Sequence, residues 1–240
     1  MLAVGCGPSA SGASRTRLSV FAASSLTDAF EDVASAFEQA HPDIDVQPSF
    51  AGSQVLRLQL EQGAAADLFA SADASHVQAL RESGLLLEPR VFAHNELVVI
   101  VPRSNPAQLE SFADLPRARR VVLGTAHVPV GLYARRVIER ASAELGPSFA
   151  EDLLEHVVSE ESNTRLVRAK VELGEADAAI VYRTDALASD SVHVISIPER
   201  FNLQTDYSVG TMAASSQPGP SEAFAEFVGV GRPTGLVQRD

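Results

Sequence analysis

Residues 20–30 read Val20-Phe21-Ala22-Ala23-Ser24-Ser25-Leu26-Thr27-Asp28-Ala29-Phe30, an apolar run that breaks at two serines and resumes with another period. Residues 18–23 are short, apolar and rich in β-formers, which predicts a strand. Leu26, Ala29, Phe30, Val33, Phe37 and Ala40 then keep helical spacing as far as Pro42. A strand feeding straight into a helix is the unit of an α/β fold, and the chain repeats it. Further strands are predicted at 44–50, 67–71, 96–101, 120–123, 178–182 and 192–197, with Pro48 marking an irregular or edge strand. Helices are predicted at 54–62, 76–83, 131–141 and 165–173, and a last one from Ser221. Gly63, Gly84 and Gly174 stop three of them. Strands alternating with helices imply βα units and parallel sheets covered by helices. The class is α/β, with no visible internal repeat.

Composition narrows the function. The 240 residues are 45% hydrophobic and 21% charged, enough for a sizeable core in one large domain or two small lobes. Acidic residues outnumber basic ones by 31 to 19, for a net charge of −12, and Lys170 is the only lysine. Such a chain is a poor nucleic-acid binder, because that affinity rests on Lys and Arg neutralising phosphates. No apolar run approaches the ~18–20 residues of a membrane-spanning helix. A single cysteine, Cys6, excludes an intrachain disulfide framework and any Cys-rich metal site.

Residues 1–17 differ in character from the rest of the chain. From Gly7 to Thr16 nearly every residue is Gly, Ser, Ala or Pro, a tether-like composition that cannot bury enough apolar surface to order itself. Leu2-Ala3-Val4-Gly5-Cys6 resembles the end of a bacterial lipoprotein signal, in which Cys6 would become the lipidated first residue. The charged n-region and most of the apolar h-region are missing, which places the expected start of the signal upstream. The alternative is a cytosolic protein with an idle cysteine.

Chemistry is expected where strands hand over to helices, because free N–H groups at helix starts and the helix dipole make a neutral anion site. Four junctions carry small or hydroxyl residues. In Ala22-Ala23-Ser24-Ser25-Leu26-Thr27-Asp28, Ser25 is the expected N-cap and Asp28 takes the capping-box position. The second is Ser49-Phe50-Ala51-Gly52-Ser53. In His127-Val128-Pro129-Val130-Gly131, Pro129 suits an early helical position and Gly131 a close backbone approach. The fourth, Ser162-Asn163-Thr164-Arg165, offers Asn163 as N-cap. Taken singly, each junction is explained by ordinary capping.

Five blocks, in order, resemble the periplasmic molybdate-binding proteins, the substrate-binding components of bacterial molybdate ABC importers. They are residues 20–30, 50–53, 63–73 (Gly-Ala-Ala-Ala-Asp-Leu-Phe-Ala-Ser-Ala-Asp), 127–134 and 174–186. The resemblance covers nearly the whole chain from Leu18. It implies a two-lobed periplasmic-binding-protein fold of type II, each lobe a mixed, mainly parallel sheet flanked by helices. Lobe 1 would comprise 18–96 and 206–240, and lobe 2 residues 97–205. Relatives continue past the point matching Asp240 through another helical turn and a strand-like segment, which would belong to lobe 1. The resemblance also assigns the site. Ser25 and Ser53 match first-lobe serines, and Val130 matches a residue donating only its backbone N–H. Thr164 matches a second backbone donor, with its hydroxyl either adding a contact or facing away. Tyr182 matches a tyrosine whose hydroxyl reaches the anion. Ser24, often Ala in relatives, is not expected to contribute its hydroxyl.

The implied function is extracytoplasmic capture of molybdate, and of tungstate, by a monomer that hands it to an ABC permease. No cofactor, catalytic residue or bare metal cation is expected. A tetrahedral dianion offers only acceptors, so hydroxyls and N–H groups suit it without any Arg or Lys. Size would discriminate against the smaller sulfate and phosphate, and the proton on phosphate would add to that. The charge of −12 reads as an outer-surface solubility feature, screened beyond ~8 Å by salt.

Other classes fit less well. There is no Gly-x-Ser-x-Gly elbow, no His-Glu-x-x-His, and no phosphate loop with Gly-Lys-Ser/Thr. Gly229-Val230-Gly231 lacks the strand and long helix of a dinucleotide loop. A transcription regulator's effector domain would come after a basic helix-turn-helix, which residues 1–17 are not. The nearer rival is the same fold binding sulfate or a small organic anion.

Overall fold

A computed structural model describes residues 15–230 of the chain. Cys6 and the rest of residues 1–14 lie outside the described residues, as do 231–240. The first half runs β1 (Thr16–Ala23), α1 (Thr27–Ala40), β2 (Ile44–Ala51), α2 (Ser53–Glu61), β3 (Leu68–Ser71), α3 (Ala74–Glu82) and β4 (Arg90–Pro102). Next come β5 (Val121–Gly124), α4 (Pro129–Leu145), α5 (Pro147–Glu155), β6 (Val157–Glu161), α6 (Thr164–Glu172), β7 (Ala178–Tyr182) and a short α7 (Arg183–Leu187). The described residues finish with β8 (Val192–Ser196), β9 (Gln204–Thr211) and α8 (Pro218–Val230).

Leu18, Val20 and Ala22 alternate inward along β1 and are fully buried, which sets its register against the core. α1 covers them with Phe30, Val33, Ala34 and Phe37. The last helix closes the same layer, with Phe224 meeting the Phe37 ring edge-on at 5.1 Å. Helices α2, α3 and α6 end against Gly63, Gly84 and Gly174, all in the left-handed region that glycine enters without penalty.

The strands follow the order β2-β1-β3-β9-β4-β7-β5-β6, with β8 also on β4. Pairs β1–β2, β1–β3, β5–β6 and β5–β7 are parallel, as βα units require. The edge position of β2 accommodates Pro48. β4 and β9 depart from the expected parallel pattern, running antiparallel to their neighbours. The reason is topological, because these strands carry the chain between two βα layers instead of crossing over within one. β4 changes partners midway: residues 90–96 pair with β9, and from Leu97 onward it pairs with β7 and β8.

Matching residues hold each layer. At the start of β3, the Asp67 carboxylate accepts from Ser19 N–H at 2.8 Å and Ser215 Oγ at 2.7 Å. Just before β7, Asp177 accepts from Arg120 N–H at 3.0 Å and from the Arg120 guanidinium at 2.7 Å. In both layers an Ala-Asp step ties a strand entrance to its neighbour. Four elements have no counterpart in the sequence reading: α5, β6, α7 and β9. The half-exposed β6 and the polar β9 (Gln-Thr-Asp-Tyr-Ser-Val-Gly-Thr) lack the apolar run that signals a strand, and are strands because their neighbours pair with them.

Candidate functional site

The helix starts of α2, α4 and α6 and the turn after β1 meet around one small cavity of about 20 Å³. Ser25, Ser53, Val130, Thr164 and Tyr182 all line it, together with Ser24, Gly52 and Asn163. None of its lining residues carries a charge. Helix geometry leaves the first-turn N–H groups of α2, α4 and α6 without intrahelical acceptors, so donors border this space. Among the described residues, no group of three or more His, Cys, Asp or Glu side chains is placed to hold a metal ion.

The five residues reach the cavity in different ways. Ser25 is not the N-cap of α1, which corrects the sequence expectation. A 3-10 turn, Ser24–Leu26, intervenes, Leu26 takes the cap position without a side-chain bond, and Thr27 Oγ1 donates to Ser24 O at 2.8 Å. The extra turn releases the Ser25 hydroxyl, whose oxygen accepts from Tyr207 Oη at 3.1 Å. Asp28 closes no capping box; it pairs with Arg165 at 3.1 Å.

Ser53 opens α2, is buried, and accepts from Ala72 N–H at 3.2 Å. Val130 follows Pro129 at the start of α4. Gly131 permits that start, because a Cβ there would lie 2.1 Å from the Thr125 carbonyl oxygen. Thr164 opens α6 behind Asn163, which caps the helix by accepting from Leu166 N–H at 3.0 Å. The Thr164 hydroxyl donates to Asp185 Oδ2 at 3.1 Å. Burial raises the Asp185 pKa to about 7, against the opposing pull of Arg168 and the Thr164 bond.

Tyr182 ends β7 with its hydroxyl buried and without a hydrogen-bond partner in the protein. Burial pushes its pKa well above the ordinary tyrosine value, so it remains a neutral donor. Contacts between the two layers involve residues next in sequence to several that line the cavity. Gln54 Nε2 donates to Ser162 O at 3.0 Å, Arg165 meets Asp28, and the Tyr133 hydroxyl donates to Asp73. Burial pushes the Asp73 pKa up, but the bonds from Ser75 and Tyr133 outweigh it and hold the carboxyl low.

Asn95 and Tyr207, both buried on the connecting strands, escaped the reading as site residues. The resemblance placed them only beside the expected lobe boundaries, at 96/97 and 205/206. A lone Asn before an apolar run and a Tyr in a polar stretch carry no signal that they share a hydrogen bond.

A profile of the bacterial extracellular solute-binding proteins matches residues 18–230. The chain belongs to this family. This solute-binding protein is 37% identical over 212 residues to the molybdate-binding protein ModA of Mycobacterium tuberculosis, covering 87% of this chain and 77% of that protein. Among solved structures, the periplasmic molybdate-binding protein of Azotobacter vinelandii matches it with a TM-score of 0.79 at 18% identity, over 93% of this chain and 100% of that one. The sulfate-binding protein SubI of M. tuberculosis matches equally well, with a TM-score of 0.79 at 18% identity, over 90% of this chain and 82% of that one. Those two likenesses establish the two-lobed type II binding-protein fold. The family is one of extracytoplasmic binding proteins, not of enzymes.

Proposed function

We propose that this solute-binding protein captures molybdate, and tungstate with it, in the cavity between its lobes and delivers the anion to an ABC importer. The observation that carries this reading is the convergence of five neutral donors on one uncharged cavity, with the Tyr182 hydroxyl buried there unpartnered. In the proposed complex Ser25, Ser53 and Tyr182 donate through hydroxyls, and Val130 and Thr164 through backbone N–H groups. A doubly charged oxyanion is held by such fixed dipoles in place of its hydration shell. No cofactor is part of the reading. The lobe division, 18–96 with 206–240 against 97–205, is supported by the partner change of β4 at residues 96 and 97. Release to a permease, a monomeric carrier and a lipid anchor at Cys6 complete the proposal.

Sulfate is the second reading, favoured by the equal structural likeness to SubI. Isothermal titration of the full chain with molybdate, tungstate, sulfate and phosphate separates the two. One-to-one binding of the first two, with the others silent, is expected. Ser25→Ala, Ser53→Ala and Tyr182→Phe should each weaken binding by about 1–3 kcal/mol through loss of a charge-assisted bond. If all three bind like the parent, the site assignment is wrong.

A further inference from the structure

A one-way chain of hydrogen bonds runs behind Ser25. Glu96 N–H donates to Asn95 Oδ1 at 2.9 Å, which orients the amide, since the flipped amide would set donor against donor. Asn95 Nδ2 is therefore the donor to both Tyr207 Oη and Thr184 Oγ1, each at 2.8 Å. Tyr207 has one proton, and its oxygen already faces the Asn95 N–H. The proton goes to Ser25 Oγ at 3.1 Å. Ser25 then cannot donate to Tyr207, and its own proton is left for the cavity it lines. Asn95 is 2% exposed and Tyr207 fully buried, so water does not compete for these bonds.

We infer that Asn95 and Tyr207 are positioning residues which polarise Ser25 into an obligatory donor, and so select a fully deprotonated oxyanion. The inference rests on the proposed anion site and deepens it. Ser53 is polarised alike, its oxygen accepting from Ala72 N–H. With both serine oxygens accepting from behind, an anion that carries a proton meets hydroxyls already committed as donors. Thr184 lies just past Tyr182, so the chain also joins the end of β7 to both connecting strands.

The test is a double-mutant cycle on the full chain. Tyr207→Phe keeps the ring, which packs edge-on against Tyr182 at 5.8 Å, and removes only the hydroxyl. The parent, Tyr207→Phe, Ser25→Ala and the double variant are titrated with molybdate, tungstate, sulfate and phosphate, with thermal unfolding as a check on folding. Tyr207→Phe is expected to weaken the anion the parent binds by about tenfold and to raise hydrogen phosphate binding relative to it. In the Ser25→Ala background it should change nothing further. A purely structural Tyr207 would weaken both backgrounds equally; that result, or parent-like binding by Tyr207→Phe, overturns the relay and leaves the site standing. A parent that binds none of the four anions overturns the site reading and the relay with it. If Tyr207→Phe does not fold, Asn95→Asp replaces it, because a carboxylate draws the Tyr207 proton away from Ser25. Its charge repels the anion in both backgrounds, so the relay predicts a smaller loss once Ser25 is Ala, and equal losses overturn it.

Discussion

The hydroxyl of Thr164 donates to Asp185 Oδ2 at 3.1 Å, a carboxylate that does not line the cavity. With the hydroxyl so committed, the proposed complex takes only the backbone N–H of Thr164. Replacing it with Val should leave anion affinity unchanged while lowering stability by about 1–3 kcal/mol, since the buried Asp185 loses a donor. Titration and thermal unfolding read the two effects separately. A large loss of affinity in a folded variant would mean that the hydroxyl turns to the anion.

Asp185 makes stability depend on pH. Its folded pKa of about 7 lies above the ordinary value of 3.8, so the folded protein holds the proton more tightly. The stability this contributes is fully present below pH 3.8 and is lost as pH rises through about 7. Asp185→Asn removes that loss and should gain melting temperature on the parent between about pH 5 and about pH 8. Parallel melting curves across that range would contradict the assignment.

Tyr182→Phe should act in opposite directions on stability and on binding. The buried hydroxyl has no partner in the protein, so removing it relieves an unsatisfied group and raises the melting temperature without anion. The same change deletes a donor and weakens binding. A variant that loses stability would show the hydroxyl to be satisfied within the protein.

The contacts between the two layers should matter modestly. Arg165 and Asp28 are partly exposed, at 35% and 59%, and a pair of that kind contributes about 0.2–1 kcal/mol. Arg165→Ala and Gln54→Ala are expected to speed anion release with little change in association, and the Arg165 effect should fade in high salt. Stopped-flow kinetics at two salt concentrations tests this; a salt-independent Arg165 effect would exclude the ion pair as its cause.

Gly131→Ala is the severe substitution. Its Cβ would overlap the Thr125 and Gly124 carbonyl oxygens, at 2.1 and 2.3 Å, so the start of α4 has to move. A stability loss of about 1–3 kcal/mol and abolished anion binding are expected, from calorimetry and titration. Normal binding would show that the placement of Val130 N–H is not critical.

The alternation of strands and helices outside α5, β6, α7 and β9, the glycine stops, the Asn163 cap and the edge strand at Pro48 were legible in the sequence. Each rests on local physics: periodicity of apolar residues, the backbone freedom of glycine, the missing N–H of proline. The five lining residues were legible as well, through the resemblance of ordered blocks. Strands β6 and β9 were not, because their residues are polar and their pairing partners lie far along the chain. Ser25 shows the limit most clearly. Read locally, a serine before an apolar helix is a cap. In the folded chain a 3-10 turn lifts it off the helix, and Tyr207, 182 residues later, takes its oxygen. The donor type was written in the sequence; where each hydroxyl spends its proton was decided by tertiary structure. Hydrogen bonds between distant strands depend on angles and distances that exist only once β4 and β9 have paired.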